Sequence, residues 1–110
     1  MARRRAAGAE DMMDNTVAPT RNAPRVTMYT TSYCGYCVRA ERLLAARGVD
    51  EIVKVRVDEN PAERVVMMRR TGRRTVPQIY IGEHHVGGYD DLAALDRAGR
   101  LSAMLEGSVA

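Results

Sequence analysis

The stretch from residue 25 to residue 57 most constrains what this chain can fold into. "VTMYT" is rich in β-branched residues, and "EIVKVRV" alternates apolar and charged residues, so both predict strands. Between them, "YCVRAERLLAARG" places Cys37, Ala40 and Leu44 on one helical face and predicts a helix that stops at Gly48. This order predicts a parallel βαβ unit with a right-handed crossover.

The second half adds a helix, a hairpin and a closing helical segment. "NPAERVVMMRRTG" predicts a helix with Asn60 as N-cap, Pro61 at its first position and Gly72 at its end. "VPQIYIG" and "HHVGG" predict two short strands joined by the turn Gly82-Glu83, and "YDDLAALDRAGRLSAML" predicts one or two helices. The order β-α-β-α-β-β-α therefore predicts an α/β fold, with a mixed sheet and helices on both faces.

Length and charge set limits on the domain and its partners. Residues 1–24 are small, polar and charged, which predicts a disordered leader before one domain at residues 25–110. No apolar stretch approaches the roughly 18 residues needed to cross a membrane. A net charge of +3, with no aromatic residues among the basic ones, does not favour nucleic acid. We expect a soluble, cytoplasmic protein, monomeric because the pattern leaves no apolar stripe unaccounted for.

The only two cysteines, Cys34 and Cys37, stand where the first strand meets the first helix. Unpaired N–H groups and the helix dipole at such a position lower a thiol pKa from about 8.5 and favour the nucleophilic thiolate. Cys34 is predicted to lie at the helix start, and Cys37 one turn further along the inner face. The sequence therefore predicts a redox pair in which Cys34 attacks and Cys37 resolves.

Two other uses of the cysteine pair are disfavoured. A zinc site needs four ligands, and only His84 and His85 are available to complete it. Adjacent residues on a strand point to opposite faces, so these histidines are expected at a hairpin edge without a ligand role. Buried structural cysteines rarely fall at a helix start. Pro77 is placed at the beginning of a strand, because proline cannot donate a ladder hydrogen bond. If its peptide bond is cis, it leaves the Val76 backbone free to pair with a thiol substrate, and in that case it supports the redox interpretation.

Three spaced motifs carry a family resemblance: Cys34-Gly35-Tyr36-Cys37, then Thr75-Val76-Pro77, then Gly87-Gly88-Tyr89-Asp90-Asp91. With them the chain resembles the small dithiol glutaredoxins of bacteria over residues 25–106. The resemblance implies a thioredoxin-like fold, with a four-stranded mixed sheet flanked by helices. It also implies a glutathione site whose residues are Tyr36, Arg73, Thr75, Val76, Pro77, Gly88, Tyr89, Asp90 and Asp91.

The resemblance assigns parts of glutathione to these residues. Val76 is expected to pair main chain to main chain with the cysteinyl residue, while Arg73 faces the glycine carboxylate and Tyr36 lines the same end. The resemblance places the γ-glutamyl carboxylate on backbone N–H groups at the start of the last helix, an environment that suits anions. Those groups belong to Tyr89 and Asp90, and the side chain of Asp90 or Asp91 is expected to accept the γ-glutamyl ammonium.

The implied activity is glutathione-dependent reduction of protein–glutathione mixed disulfides and protein disulfides. Gly35 departs from the proline usual in this family, and some members without that proline hold a [2Fe–2S] cluster between two chains and two glutathiones. A cluster-binding dimer, acting as carrier or sensor, is therefore the alternative function. A thioredoxin is less favoured, because such proteins usually carry tryptophan where Tyr33 stands and Gly-Pro between the cysteines.

Overall fold

The computed structural model describes residues 23–107. The predicted leader at residues 1–24 therefore lies outside the described residues except for its last two. In chain order the elements are β1 (Val26–Thr30), α1 (Gly35–Ala46), β2 (Ile52–Arg56), α2 (Pro61–Thr71), β3 (Gln78–Ile81), β4 (His84–Gly87), α3 (Tyr89–Arg97) and α4 (Leu101–Leu105). This is the predicted order, and the closing segment forms two helices.

The four strands form one mixed sheet in the order β2-β1-β3-β4. β1 pairs in parallel with β2, with Val26 opposite Ile52, as the βαβ prediction requires. β3 runs antiparallel to both β1 and β4. The register between β3 and β4 shifts between Ile79 and Tyr80, so β4 accommodates one extra residue there.

Side chains alternate across this sheet and form a core on each face. On one face, α1, α3 and α4 cover the strands, and the predicted stripe of Cys37, Ala40 and Leu44 is buried there. On the other face, Met67 of α2 packs with Tyr29, Val57 and Tyr80. Fully burying one such side chain contributes about 1.5–3 kcal/mol, so the two cores fix the helices against the sheet.

The ends of these helices place the loops that matter for function. α2 ends as predicted at Gly72, whose φ of 72° is the left-handed conformation that favours glycine. α3 begins after Gly88, with Asp90 and Asp91 in its first turn. Within residues 23–107, no helix has the length and apolar character needed to cross a membrane.

Candidate active site

The two cysteines lie at the start of α1, as predicted, and form a disulfide with their Cα atoms 5.2 Å apart. Cys34 is the N-cap residue, and its Sγ accepts a hydrogen bond from the Cys37 backbone N–H at 3.1 Å. Cys37 is only 2% exposed, whereas Cys34 is half-buried. The geometry therefore gives one sulfur that a substrate can reach and a second that can reach only the first.

The loop before β3 faces the sulfur of Cys34. The Val76–Pro77 peptide bond is cis, the condition that the sequence analysis set for the Val76 backbone to pair with a substrate. Cys34 Sγ lies 4.0 Å from the Val76 carbonyl oxygen. A Cβ added at Gly88 would lie 3.5 Å from the Pro77 carbonyl oxygen, so the start of α3 also approaches this loop closely. The fold thus gathers the start of α1, the Val76–Pro77 segment and the start of α3, three regions that are distant in sequence.

Arg73, in the loop between α2 and β3, forms an ion pair with Asp91 at the start of α3, with Nη1 2.9 Å from Oδ2. The same carboxylate oxygen accepts the Gly88 backbone N–H at 2.9 Å. The Gly88 hydrogen bond and then the Arg73 guanidinium hold the pKa of Asp91 below its usual value. Of the two carboxylates predicted for the ammonium, Asp91 is therefore engaged within the protein, while Asp90 is exposed. The side chain predicted to face the glycine carboxylate, Arg73, points to the α3 end.

Two tyrosines from the predicted site lie together. The rings of Tyr36 and Tyr89 have centroids 6.2 Å apart, and the Arg39 guanidinium lies 5.4 Å from the Tyr36 centroid. A pocket of about 440 Å³ opens beside them, lined by Arg39, Arg42, Leu43 and Tyr89. Tyr36 is 57% exposed, so this ring is available to a bound molecule. Cationic side chains thus border the site on its α1 side.

A network of hydrogen bonds and ion pairs around Ser32, two residues before Cys34, was not predicted from the sequence. Ser32 donates to Asp58 Oδ2 from both its backbone N–H (3.1 Å) and its hydroxyl (2.7 Å). Arg56 contacts Ser32 and Asp58 and also pairs with Glu59 at 3.0 Å. These bonds, chiefly the Ser32 hydroxyl, lower the pKa of Asp58 from 3.8 to about 2. Ser32 and Asp58 each follow a parallel strand by two residues in register, and that signal could have predicted their contact.

A second missed residue, Gln78, lies behind the Thr75–Pro77 loop. Its side chain is fully buried, and Nε2 donates to the Thr75 carbonyl oxygen at 3.0 Å. Its Oε1 lies 2.8 Å from Nε2 of His85. A single amide inside the otherwise apolar run "VPQIYI" was the available signal, because buried polar groups nearly always have hydrogen-bonding partners. His85 thus has a structural contact that the expectation of a hairpin edge did not include.

A cysteine pair at a strand–helix junction, facing a cis-proline segment beside a mixed four-stranded sheet, defines a thiol–disulfide redox domain of the thioredoxin-like type. A family model described as Glutaredoxin matches residues 26–86. A glutaredoxin of Pseudomonas aeruginosa is 52% identical over 82 residues, which cover 74% of this chain and 96% of that protein. The chain belongs to the glutaredoxin family.

Solved structures agree with the fold. A buckwheat glutaredoxin–glutathione complex matches with a TM-score of 0.70 at 32% identity, covering 79% of this chain and 83% of that one. A structure described as "Metal Binding of Glutaredoxins" matches with a TM-score of 0.63 at 42% identity, covering 81% of this chain and 96% of that one. The predicted thioredoxin-like fold and the family resemblance are confirmed, and the family implies thiol–disulfide oxidoreductase activity.

Proposed function

We propose that this protein uses glutathione to reduce protein–glutathione mixed disulfides and, through its second cysteine, protein disulfides. The observation that carries the proposal is the half-buried Cys34 sulfur, held at a helix start 4.0 Å from the Val76 carbonyl. The buckwheat relative was solved as a glutathione complex, which supports glutathione as the ligand. The proposed compartment is the cytoplasm, where the glutathione pool is reducing, and the cluster-free protein is proposed to act as a monomer.

Glutathione is proposed to lie along the Thr75–Pro77 segment and end at α3. Its cysteinyl backbone pairs with Val76, which brings its sulfur to Cys34. Its γ-glutamyl carboxylate binds the N–H groups of Tyr89 and Asp90, because the positive end of a helix attracts anions. The exposed Asp90 carboxylate accepts the γ-glutamyl ammonium, since Asp91 already binds Arg73 and Gly88.

The glycine end of glutathione remains assigned to Arg73 and Tyr36 in this proposal. Arg73 must leave Asp91, or bind both carboxylates, to meet the glycine carboxylate. Its side chain is 47% exposed, so the ion pair that holds it is worth only about 0–1 kcal/mol. The exchange of partners therefore has a small energetic cost. The cationic pocket side chains, Arg39 and Arg42, raise the local concentration of a ligand that carries net negative charge.

The reduction of a mixed disulfide takes two displacements. The Cys34 thiolate, stabilised by the Cys37 N–H, attacks the glutathionyl sulfur. A Cys34–glutathione disulfide forms, and the electron pair of the broken bond leaves on the substrate sulfur, which takes up a proton. A second glutathione, as its thiolate, then attacks the glutathionyl sulfur on Cys34. Glutathione disulfide leaves, and the Cys34 thiolate is regenerated.

Protein disulfides follow a dithiol route through Cys37. After Cys34 attacks one sulfur of the substrate, Cys37 attacks Cys34 and releases the second substrate thiol. The product is the Cys34–Cys37 disulfide, whose formation the 5.2 Å separation of the Cα atoms permits. Because Cys37 is buried, it reaches Cys34 more readily than it reaches a bulky substrate. Two glutathiones then reduce the internal disulfide.

The test compares wild type with Cys34→Ser and Cys37→Ser in glutathione-coupled reduction of a glutathionylated peptide and of a protein disulfide. We expect Cys34→Ser to be inactive on both substrates. Cys37→Ser should keep its activity on the glutathionylated peptide and lose most of it on the protein disulfide. An inactive wild type, or activity that survives in Cys34→Ser, would reject the proposal.

The second candidate is a dimer that binds a [2Fe–2S] cluster, and the related structure described as "Metal Binding of Glutaredoxins" favours retaining it. Within residues 23–107, no three His, Cys, Asp or Glu side chains gather as a metal site, and Cys37 is buried. Each chain thus offers one accessible thiolate, Cys34, which fits a cluster completed by a second chain and two glutathiones. Such a cluster supplies one-electron chemistry or is itself delivered to other proteins.

A cluster would be detected by anaerobic reconstitution with iron, sulfide and glutathione. Visible absorption together with dimer formation in size-exclusion chromatography would support this candidate, and both should disappear in Cys34→Ser. Gly35 is exposed, and a Cβ there would meet nothing within 4 Å, so Gly35→Pro is a direct comparison at the position that departs from the family. A colourless monomer under these conditions would exclude the cluster role.

A further inference from the structure

Gln78 is an unusual buried residue because its amide links two parts of the fold. It is the first residue of β3, directly after Pro77, and its side chain has no exposed surface. Nε2 donates to the Thr75 carbonyl oxygen at 3.0 Å and lies 3.4 Å from the Thr75 hydroxyl oxygen. Oε1 meets His85 Nε2 at 2.8 Å. A buried amide with both ends engaged has a strongly preferred orientation.

The direction of these hydrogen bonds is fixed by chemistry. The Thr75 carbonyl can only accept, so the amide nitrogen of Gln78 must face it. The amide oxygen then faces His85, and Nε2 of His85 must carry a proton. The His85 ring is half-buried, with its centroid 5.1 Å from that of Tyr80, and the Arg70 guanidinium lies 4.1 Å from the Tyr80 centroid. Packing therefore holds the imidazole that in turn orients Gln78.

Apart from the ion pair of Arg73 with Asp91, the segment that Gln78 holds has few other restraints. Residues 72–75 lie between α2 and β3 and are exposed. On the α2 side, the Thr71 hydroxyl accepts the Arg73 backbone N–H at 3.0 Å, and Arg64 donates to the Arg74 carbonyl at 3.3 Å. On the sheet side, the Gln78 amide binds Thr75, immediately before Val76. The position of the Val76 backbone relative to Cys34 thus depends on this interior contact.

We propose that Gln78 and His85 are positioning residues that hold the Thr75–Pro77 backbone in the conformation that receives the glutathionyl group. This inference rests on the proposed glutathione function. His85 fixes the Gln78 amide, the amide fixes Thr75, and Thr75 sets the direction of the Val76 N–H and C=O groups. Neither side chain touches the reacting sulfurs. Their loss should therefore reduce recognition of the glutathionyl group without changing the reactivity of Cys34.

The experiment uses reduced protein in single-turnover reactions, with no free glutathione, on two forms of one peptide. In one form the peptide's cysteine carries glutathione as a mixed disulfide, and in the other it carries 2-mercaptoethanol as a mixed disulfide, called here the hydroxyethyl peptide. Gln78→Leu has similar volume and lacks both hydrogen-bonding groups. It should lower the second-order rate constant for the glutathionyl peptide about 5- to 10-fold, the effect of losing the one hydrogen bond that holds Thr75. The rate constant for the hydroxyethyl peptide and the pH dependence of Cys34 alkylation should not change.

Further variants separate positioning from general destabilisation. Ile79→Val, one residue along the same strand, removes a buried methyl group without touching Thr75, and it should preserve the preference for the glutathionyl peptide. His85→Leu keeps an apolar side chain beside Tyr80 and removes the donor to Gln78 Oε1. It should lower the preference about 2- to 3-fold, and it replaces Gln78→Leu in the test if that variant does not fold. Backbone ¹⁵N relaxation at Thr75 and Val76 should show increased motion in both Gln78→Leu and His85→Leu.

The outcomes distinguish this inference from the function on which it rests. If wild type prefers the glutathionyl peptide and Gln78→Leu and His85→Leu keep the same preference, the positioning role is wrong. The role is also wrong if Ile79→Val loses the preference equally. If wild type shows no preference, the proposed function fails instead. The relaxation measurement then decides the positioning role by itself, and unchanged motion at Thr75 and Val76 in the variants overturns it.

Discussion

Replacing Asp91 by alanine should destabilise the protein by a predictable amount, because its carboxylate has two separable roles. It accepts the Gly88 N–H at the start of α3, an interaction worth about 1 kcal/mol. It also pairs with Arg73, and an exposed pair of this kind contributes about 0.5 kcal/mol. Asp91→Ala should therefore lower the free energy of unfolding by about 1.5 kcal/mol and the Tm by roughly 6–12 °C.

Asparagine at the same position separates the two roles. Asp91→Asn keeps a side-chain oxygen for the Gly88 N–H and loses the ion pair, so it should cost only about 0.5 kcal/mol. Urea and thermal unfolding measure both variants. Asp96→Asn is the control for losing an ion pair without a helix-start hydrogen bond, because it removes the bidentate pair with Arg47 at the other end of the same helix. If Asp91→Asn is as damaging as Asp91→Ala, the hydrogen bond to Gly88 is not the source of the stability and the reasoning is refuted.

Three further predictions concern Asp58, Gly87 and Arg42. Asp58 has a pKa of about 2 in the folded protein, below its ordinary 3.8, so its network stabilises the fold above about pH 4 and loses that effect as the pH falls through 2. The Tm difference between wild type and Asp58→Asn should accordingly be constant above pH 5 and fall to a small fraction of that value at pH 2. If the difference at pH 2 is as large as at pH 7, the assignment is wrong. Gly87→Ala, at φ 116° and with its Cβ 2.8 Å from Asp91 Cγ, should displace that carboxylate and cost at least as much as Asp91→Ala in urea unfolding. A cost below that of Asp91→Asn would contradict this contact. Arg42→Gln should slow the reaction with a glutathionylated peptide about 2-fold in low salt and not at 0.5 M salt, and a salt-independent loss would reject an electrostatic role.

Local chemistry in the sequence was enough to predict the elements that carry the cysteines. The spacing of Cys37, Ala40 and Leu44 gave the inner face of α1, and all three are buried. Gly72 gave the end of α2, because a left-handed residue there suits glycine. These predictions succeed because they depend on residues within one or two turns of each other.

The contacts across the candidate site depended on pairing between distant elements. The resemblance assigned Arg73 to the glycine carboxylate of glutathione and did not predict its ion pair with Asp91, which lies on another element. The sequence contains both residues and does not state that the α2–β3 loop passes beside the start of α3. The sequence predicted only that Gln78 belongs to a short strand, and its hydrogen-bonding partners are identified only when the fold brings Thr75 and His85 together.

The sequence by itself determined the fold class, the position of Cys34 at a helix start and the family, since periodicity, capping and three short motifs are local properties of the chain. The tertiary structure decided which sulfur is accessible, which carboxylate is already paired and what holds the segment before Pro77. Those features depend on the burial of Cys37 and on the strand order, in which β1 lies between β2 and β3. Burial and strand order arise only when elements far apart in the chain exclude water together.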